Sequence, residues 1–272
     1  MQTKDWVRHA PQTSPIERLE AFFGTHAFNT HQHDTYAIGI TLHGAHRFNY
    51  RGEAKVCAPG EVMVVHPDEQ HDGRAGTDAG FRYQGLYLPP ALVQQILQGK
   101  PLPFLKNAVS QDPRLTTTVF ELLHAQDLDP MSEEDALLSF VTTLAAVTGQ
   151  PRTRTAHHFE AARRARDYIH DNLDGPITLD ELAECAGRDR WSLSKDFRVF
   201  YGTSPHRYIT ARRLSRVKLL VQAGQTLSKA AVDAGFFDQS HMSRHFTRSF
   251  GIAPSRWLFP EHGAPAETAP YD

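Results

Sequence analysis

The stretch from Thr178 to Tyr208 is repeated, nearly in register, from Thr226 to Trp257, and few architectures tolerate such a duplication. Thr178-Leu179, Ala183 and Ala186-Gly187 fall on Thr226-Leu227, Ala231 and Ala234-Gly235, 48 positions further on. From Leu193 onward the offset is 49, with Leu193, Ser194, Lys195, Phe197, Gly202 and Pro205 matching Met242, Ser243, Arg244, Phe246, Gly251 and Pro254. One residue has been added in the second turn, where insertions are best tolerated.

Each copy reads as a short amphipathic helix, a glycine suited to the left-handed conformation, and a longer second helix, the pattern of a helix-turn-helix. Leu179, Leu182, Ala183 and Ala186 form the first buried stripe, continued by Leu193, Phe197 and Phe200. Leu227, Ala230, Ala231 and Ala234 form the second, continued by Met242, Phe246 and Phe250. Small alanines allow steeply crossed helices to approach closely. One copy alone fits any helical bundle; two in register, each with a polar or basic second helix, do not. Between them Ser204-Pro205 starts a helix that ends at Ala223-Gly224. At about 1.5 Å per residue this is a rod of roughly 28 Å, near the roughly 34 Å between successive major-groove faces of duplex DNA.

Charge supports DNA only when the chain is divided. The whole carries 29 basic and 31 acidic side chains, but residues 152–260 hold 18 basic against 11 acidic, and residues 1–151 hold 11 against 17. An acidic module joined to a basic one suits a sensor fused to a DNA reader, and the basic segment is expected to bind duplex DNA by itself.

The strings ITLDELAECAGRDRWSLSKDFRVFYGTSPHRYI and GFFDQSHMSRHFTRSFGIAPSRW resemble the DNA-binding domain of AraC/XylS-type transcriptional regulators over about 100 residues, from near Phe159 to Phe259. The resemblance implies double-stranded DNA and RNA polymerase as partners and a homodimer as the working form. It places Trp191, Ser194, Lys195 and Arg198 on the first recognition helix, and Gln239, Ser240, His241, Arg244, His245 and Arg248 on the second. Lys195 and Arg244, equivalent in the repeat, are the expected guanine contacts, because Lys or Arg on guanine O6 and N7 is the commonest specific pairing. Arg198, Arg207, Arg212 and Arg248 are expected on phosphates. His241 and His245 read equally well as capping or surface residues, and Trp191 as packing.

The first 150 residues alternate short apolar runs with Gly, Pro and Asp turns, which argues an all-β unit. Strands are expected at 19–23, 36–42, 46–50, 55–58, 61–66 and 81–88, with turns at Arg51-Gly52, Pro59-Gly60 and Pro67-Asp68. Here HQHDTYAIGITLHGAHRF and APGEVMVVHPDEQHDG resemble the cupin-like effector-binding domain that precedes the DNA reader in many AraC-type proteins. His31 and His33 share a strand face, and His71 follows the proline turn where metal-binding cupins place another ligand. Three imidazoles can hold one divalent transition metal. The glutamate such cupins carry four residues after the second histidine is Ala37 here, so effector contact is preferred and metal is kept as the alternative. Tyr36, Arg47, His66 and Arg82 complete the expected effector set, with Tyr83 on the opposite face from Arg82 and with His43 and His46 outside or at a hairpin. Such a set favours an amino acid or another anionic metabolite.

Helices are expected at 91–97, 113–125 and 133–147, the last opened by Ser132 and Asp135 in capping-box spacing. Its stripe of Leu137, Leu138, Val141, Leu144 and Val147 serves either a dimer interface or the barrel's own core. No apolar run approaches the roughly 18 residues a membrane helix needs, and there is no signal-peptide pattern. Cys57 and Cys185 are isolated, Cys185 reading as a packed helix-turn-helix residue, and both suit a reducing cytoplasm.

The expected molecule is thus an α+β two-domain protein: a cupin-like β-barrel with trailing helices (1–149), a linker (150–158), an all-α domain with two helix-turn-helix motifs (159–260) and a disordered tail (261–272). It is expected to be a cytoplasmic, ligand-responsive DNA-binding regulator and not an enzyme, without a cofactor. The alternatives are a metal-binding cupin sensor, or a cupin enzyme fused to a DNA-binding domain.

Overall fold

The computed structural model describes residues 5–11, 14–125, 130–149 and 157–258. Most of the expected linker and all of the expected tail lie outside these residues.

Among the described residues, ten strands form two antiparallel sheets. The first, in the order β1 (Trp6–His9), β2 (Glu17–Phe23), β9 (Phe81–Leu88), β4 (Tyr36–Gly44), β7 (Val62–Val65) and β10 (Val109–Ser110), faces a second made of β3 (His26–His31), β8 (His71–Ala75), β5 (His46–Tyr50) and β6 (Glu53–Cys57). The expected barrel is therefore two facing sheets that do not close on one another. Arg51 and Gly52, at φ 51° and 80°, turn β5 into β6, the paired positive angles that tight hairpins require.

Side-chain alternation divides the core. Tyr36, Ile38, Ile40, Val62, Val64, Leu86 and Leu88 point out of the first sheet to meet α1 (Pro90–Leu97), α2 (Pro113–His124) and α3 (Pro130–Thr148). Their neighbours Ala37, Met63 and Val65 point between the sheets, toward Phe48 and Tyr50. The stripe on α3 serves the chain's own core: Leu137, Phe140, Val141 and Leu144 are buried, and Leu138 is exposed. That helix starts at Pro130, so Ser132 lies in its first turn and not at the cap.

The reader begins with α4 (Phe159–Asp171), which periodicity did not single out, and continues through both repeats. Thr178 and Thr226 cap α5 (Leu179–Ala186) and α8 (Leu227–Asp233), and Asp189 and Asp238 cap α6 (Arg190–Tyr201) and α9 (Gln239–Phe250). Gly202 and Gly251 end α6 and α9 in the left-handed region. Between the repeats runs α7 (Pro205–Gln222), with Ser204 accepting from the Arg207 amide, and α10 (Pro254–Leu258) closes the unit. Two details differ from expectation: Leu179 is partly exposed, and Cys185 lies at the surface.

The two repeats have different cores. The first packs α4, α5, α6 and the start of α7 together through Ala165, Leu182, Leu193, Phe197 and Tyr208. The second shares its core with the β-domain: Leu214, Val217, Met242, Phe246 and Trp257 belong to one cluster with Leu19, Phe23, Phe28, Phe81 and Tyr83.

Candidate DNA interface and sensor site

Both recognition helices present a polar face. Lys195 and Arg244 are exposed and make no ion pair among the described residues, so each is free to reach a base or phosphate. Gln239 and Ser240 are exposed beside Arg244, and Trp191 is 81 % exposed at the start of α6. A packing role for Trp191 does not fit that exposure. Ser194 is half-buried, and Arg198 folds back to donate to the Ser194 carbonyl at 3.1 Å. His241 and His245 turn toward one another, their Nε2 atoms 3.0 Å apart, and pack on Phe236. They shape the flank of α9 more than its exposed face. Sequence reasoning missed Phe237, 88 % exposed in the turn before α9; a second aromatic after the turn glycine was the available signal.

Two of the four arginines expected on phosphates are used elsewhere. Arg207 pairs with Asp68, and Arg212 donates to the Asp34 carboxylate at 2.7 Å. Lys218 joins them by donating to Glu17 at 2.6 Å. One helix, α7, thus docks the reader onto the β-domain through three ion pairs. Arg248, exposed on α9, borders the same seam, and its carbonyl accepts from the Gln32 amide at 3.3 Å. The seam holds a cleft of about 160 Å³ where Arg207, Arg212, Lys218 and Arg248 meet His33, Tyr87, Leu214 and Phe250.

In the β-domain, His31, His33 and His71 converge, with one ring nitrogen from each within 4.8 Å of the others. All three are buried. Burial pushes the His31 imidazole down to about 4 and His33 to about 3, and holds His71 well below its usual value, so the cluster is neutral near pH 7. Each Nδ1 lies against a backbone carbonyl: Asn29 at 2.7 Å, Thr35 at 2.9 Å and Glu69 at 3.0 Å respectively. A carbonyl only accepts, so each Nδ1 carries the proton and each Nε2 keeps its lone pair. Such a cluster repels a carboxylate, contrary to the expectation that these histidines bind an anionic effector.

The other expected effector residues lie apart. Tyr36 donates to the Pro103 carbonyl at 2.9 Å, and His66 accepts from the Leu105 amide at 2.8 Å while facing the Tyr50 hydroxyl at 3.0 Å. Both spend their polar atoms fixing the chain between α1 and β10. Arg47 and Arg82 are exposed, as alternation requires when His46, Phe48, Phe81 and Tyr83 point inward. Arg82 pairs with Glu20 at 2.5 Å on the outer face. His46, expected outside, is buried and stacked on Phe81 at 4.3 Å. Between the sheets only about 30 Å³ remains, room for about one water. That gap is too small for a metabolite, whereas the seam and an open groove of about 350 Å³ beside His71 on the β-domain are not.

The same division appears in comparisons with known proteins. Residues 14–141 match an AraC-like ligand binding domain, and residues 182–258 match a helix-turn-helix domain. An uncharacterized HTH-type transcriptional regulator, YbfI of Bacillus subtilis, is 24 % identical over 231 residues, covering 79 % of this chain and 81 % of its own. The arabinose operon regulatory protein of Salmonella typhimurium is 24 % identical over 233 residues, covering 82 % and 83 %. Among solved structures, ToxT of Vibrio cholerae with a bound unsaturated fatty acid superposes with a TM-score of 0.64 at 16 % identity, covering 97 % of this chain and 98 % of ToxT. An AraC-like ligand binding domain leading into paired helix-turn-helix units is the organisation of AraC/XylS-type transcriptional regulators, and the chain is similar to them over both modules.

Proposed function

We propose that this protein is a sequence-specific, ligand-responsive transcription factor that acts by binding DNA and not by turnover. The observation that carries the reading is the contrast between two kinds of cation. Lys195 and Arg244 stand exposed on the recognition helices with no ion pair among the described residues, whereas Arg207, Arg212 and Lys218 on the intervening α7 are tied to acids of the β-domain. The first set reads DNA; the second registers the state of the sensor. Arg198 and Arg248 supply phosphate contacts beside them.

The effector fits the seam. A small carboxylate, such as an amino acid or a longer organic acid, competes with Glu17 or Asp34 for Lys218 and Arg212, while Leu214, Tyr87 and Phe250 receive its apolar part. The fatty acid in ToxT, a protein of the same fold, is also a carboxylate, which supports this class. The working form is a homodimer acting with RNA polymerase in the cytoplasm. Among the described residues no helix is long and apolar enough to cross a membrane.

The test is genomic footprinting with the full chain, followed by gel shifts of the recovered site with and without a panel of carboxylates. Expected is one recurring site whose affinity falls steeply with salt and changes with at least one carboxylate. Equal affinity for recovered and random duplexes would overturn the reading.

A further inference from the structure

The three histidines have an arrangement that a structural core does not need. Each Nδ1 is fixed by a backbone carbonyl, and no described residue hydrogen-bonds to the opposing Nε2 atoms; that of His33 is fully buried without a partner. Leaving such a group unsatisfied is costly, and orienting each ring through its far nitrogen is what outer-shell partners do for metal-bound imidazoles. We propose that His31, His33 and His71 form a site for one divalent transition-metal ion of the zinc class, and that occupancy is transmitted through Asn29 to the end of α9.

The site offers three nitrogen ligands and leaves a fourth position for water or another small donor, the open arrangement of a responsive centre and not of a closed structural one. Its ligand atoms lie within 4.8 Å of one another, whereas bonds of about 2.0–2.1 Å in a tetrahedral centre bring nitrogens to roughly 3.3 Å. Metal therefore fixes the spacing of the rings. Asp72 is no competitor for the ion, because its carboxylate already accepts from the Asn49 amide and side chain at 2.6 Å each.

A change in that spacing cannot stay local. Asn29 accepts from His31 through its carbonyl and donates through its amide to the Gly251 carbonyl at 3.4 Å. Gly251 ends α9, and it packs so closely that a Cβ there would stand 2.8 Å from both the Asn29 oxygen and His31 Nδ1. The second recognition helix thus terminates on the backbone that orients a ligand. The metal site stands apart from the regulator reading; only the use made of the α9 displacement rests on it.

The full chain, stripped with a chelator, is titrated with Co²⁺ and then Zn²⁺ while visible absorption is followed. Hydrogen exchange of α9 is recorded in both states. Expected are one Co²⁺ per chain with a ligand-field band, displacement by Zn²⁺, and loss of both in His33→Ala and His71→Ala. His43→Ala, on an exposed histidine, retains them. Metal loading should change exchange in α9 by about fivefold or more, the low end of ordinary coupling between sites. A wild-type chain that takes up no metal, or His33→Ala and His71→Ala variants that bind as well as wild type, overturns the site without recourse to variants that fail to fold. Stoichiometric metal with unaltered α9 exchange overturns the transmission. Failure to bind any DNA in either state leaves both measurements intact and counts against the regulator reading alone.

Discussion

Lys218 of α7 donates to Glu17 of the β-domain at 2.6 Å while its ammonium lies 4.5 Å from the Phe250 ring and 4.9 Å from that of Trp257. One buried cation thereby holds the β-domain, the end of the second recognition helix and the closing helix in a single arrangement. Replacing it by Met keeps the stem but leaves Glu17 without its cation. Lys218→Met is expected to cost about 3 kcal/mol, the lower range for breaking a buried pair. Urea denaturation checks this, and Glu17→Gln/Lys218→Met should recover part of the loss.

Lys195→Ala and Arg244→Ala should each weaken the specific site by about 1–3 kcal/mol and relax preference at different half-segments roughly ten base pairs apart. Binding selections with randomised duplexes read this directly. Equal loss on specific and random DNA would reassign both residues to phosphates.

These helices were legible in the sequence because their determinants are local: Thr178 and Ser204 cap their own first turns, and Gly187 and Gly202 stop their own last ones. Strands β3 and β8 were not, since HAFNTH and HDGRA lack clean alternation and are held by an irregular pairing in which His31 meets His71 across two register shifts. The alternation that sends Arg47 and Arg82 outward was present in the sequence, but their charge drew them into the expected site. The fates of Arg207 and Arg212 depend on acids more than a hundred residues away, at Asp68 and Asp34, and no local pattern announces them.

The two terminating glycines of the first repeat should behave differently. A Cβ on Gly187 meets nothing closer than the flexible Arg164 tip at 3.8 Å, whereas one on Gly202 would lie 2.4 Å from Pro67 Cβ. Gly187→Ala should cost about 1–2 kcal/mol, the strain of the left-handed conformation, and Gly202→Ala distinctly more because Pro67 must also give way. Thermal melts of the two variants side by side provide the measurement.

Phe197→Ala and Phe246→Ala both empty fully buried sites and should each cost about 3–5 kcal/mol. Their reach should differ. Hydrogen exchange is expected to rise around α5 and α6 in the first variant, and in β2 and β9 as well as α9 in the second, following the cores to which each ring belongs.

That division has a consequence for how such a protein can be rebuilt. The first repeat carries its own interior and can be exchanged as a cassette, joined through its surface contacts and through α7, which runs on into the second core. The second repeat has no such boundary, because Phe246 and Trp257 rest in the same cluster as Phe28 and Tyr83. A chimaera that grafts this β-domain onto a foreign reader inherits a mismatched interior unless the facing strands and α9 travel together. For this chain the sensor and its nearer DNA-reading unit are a single heritable piece.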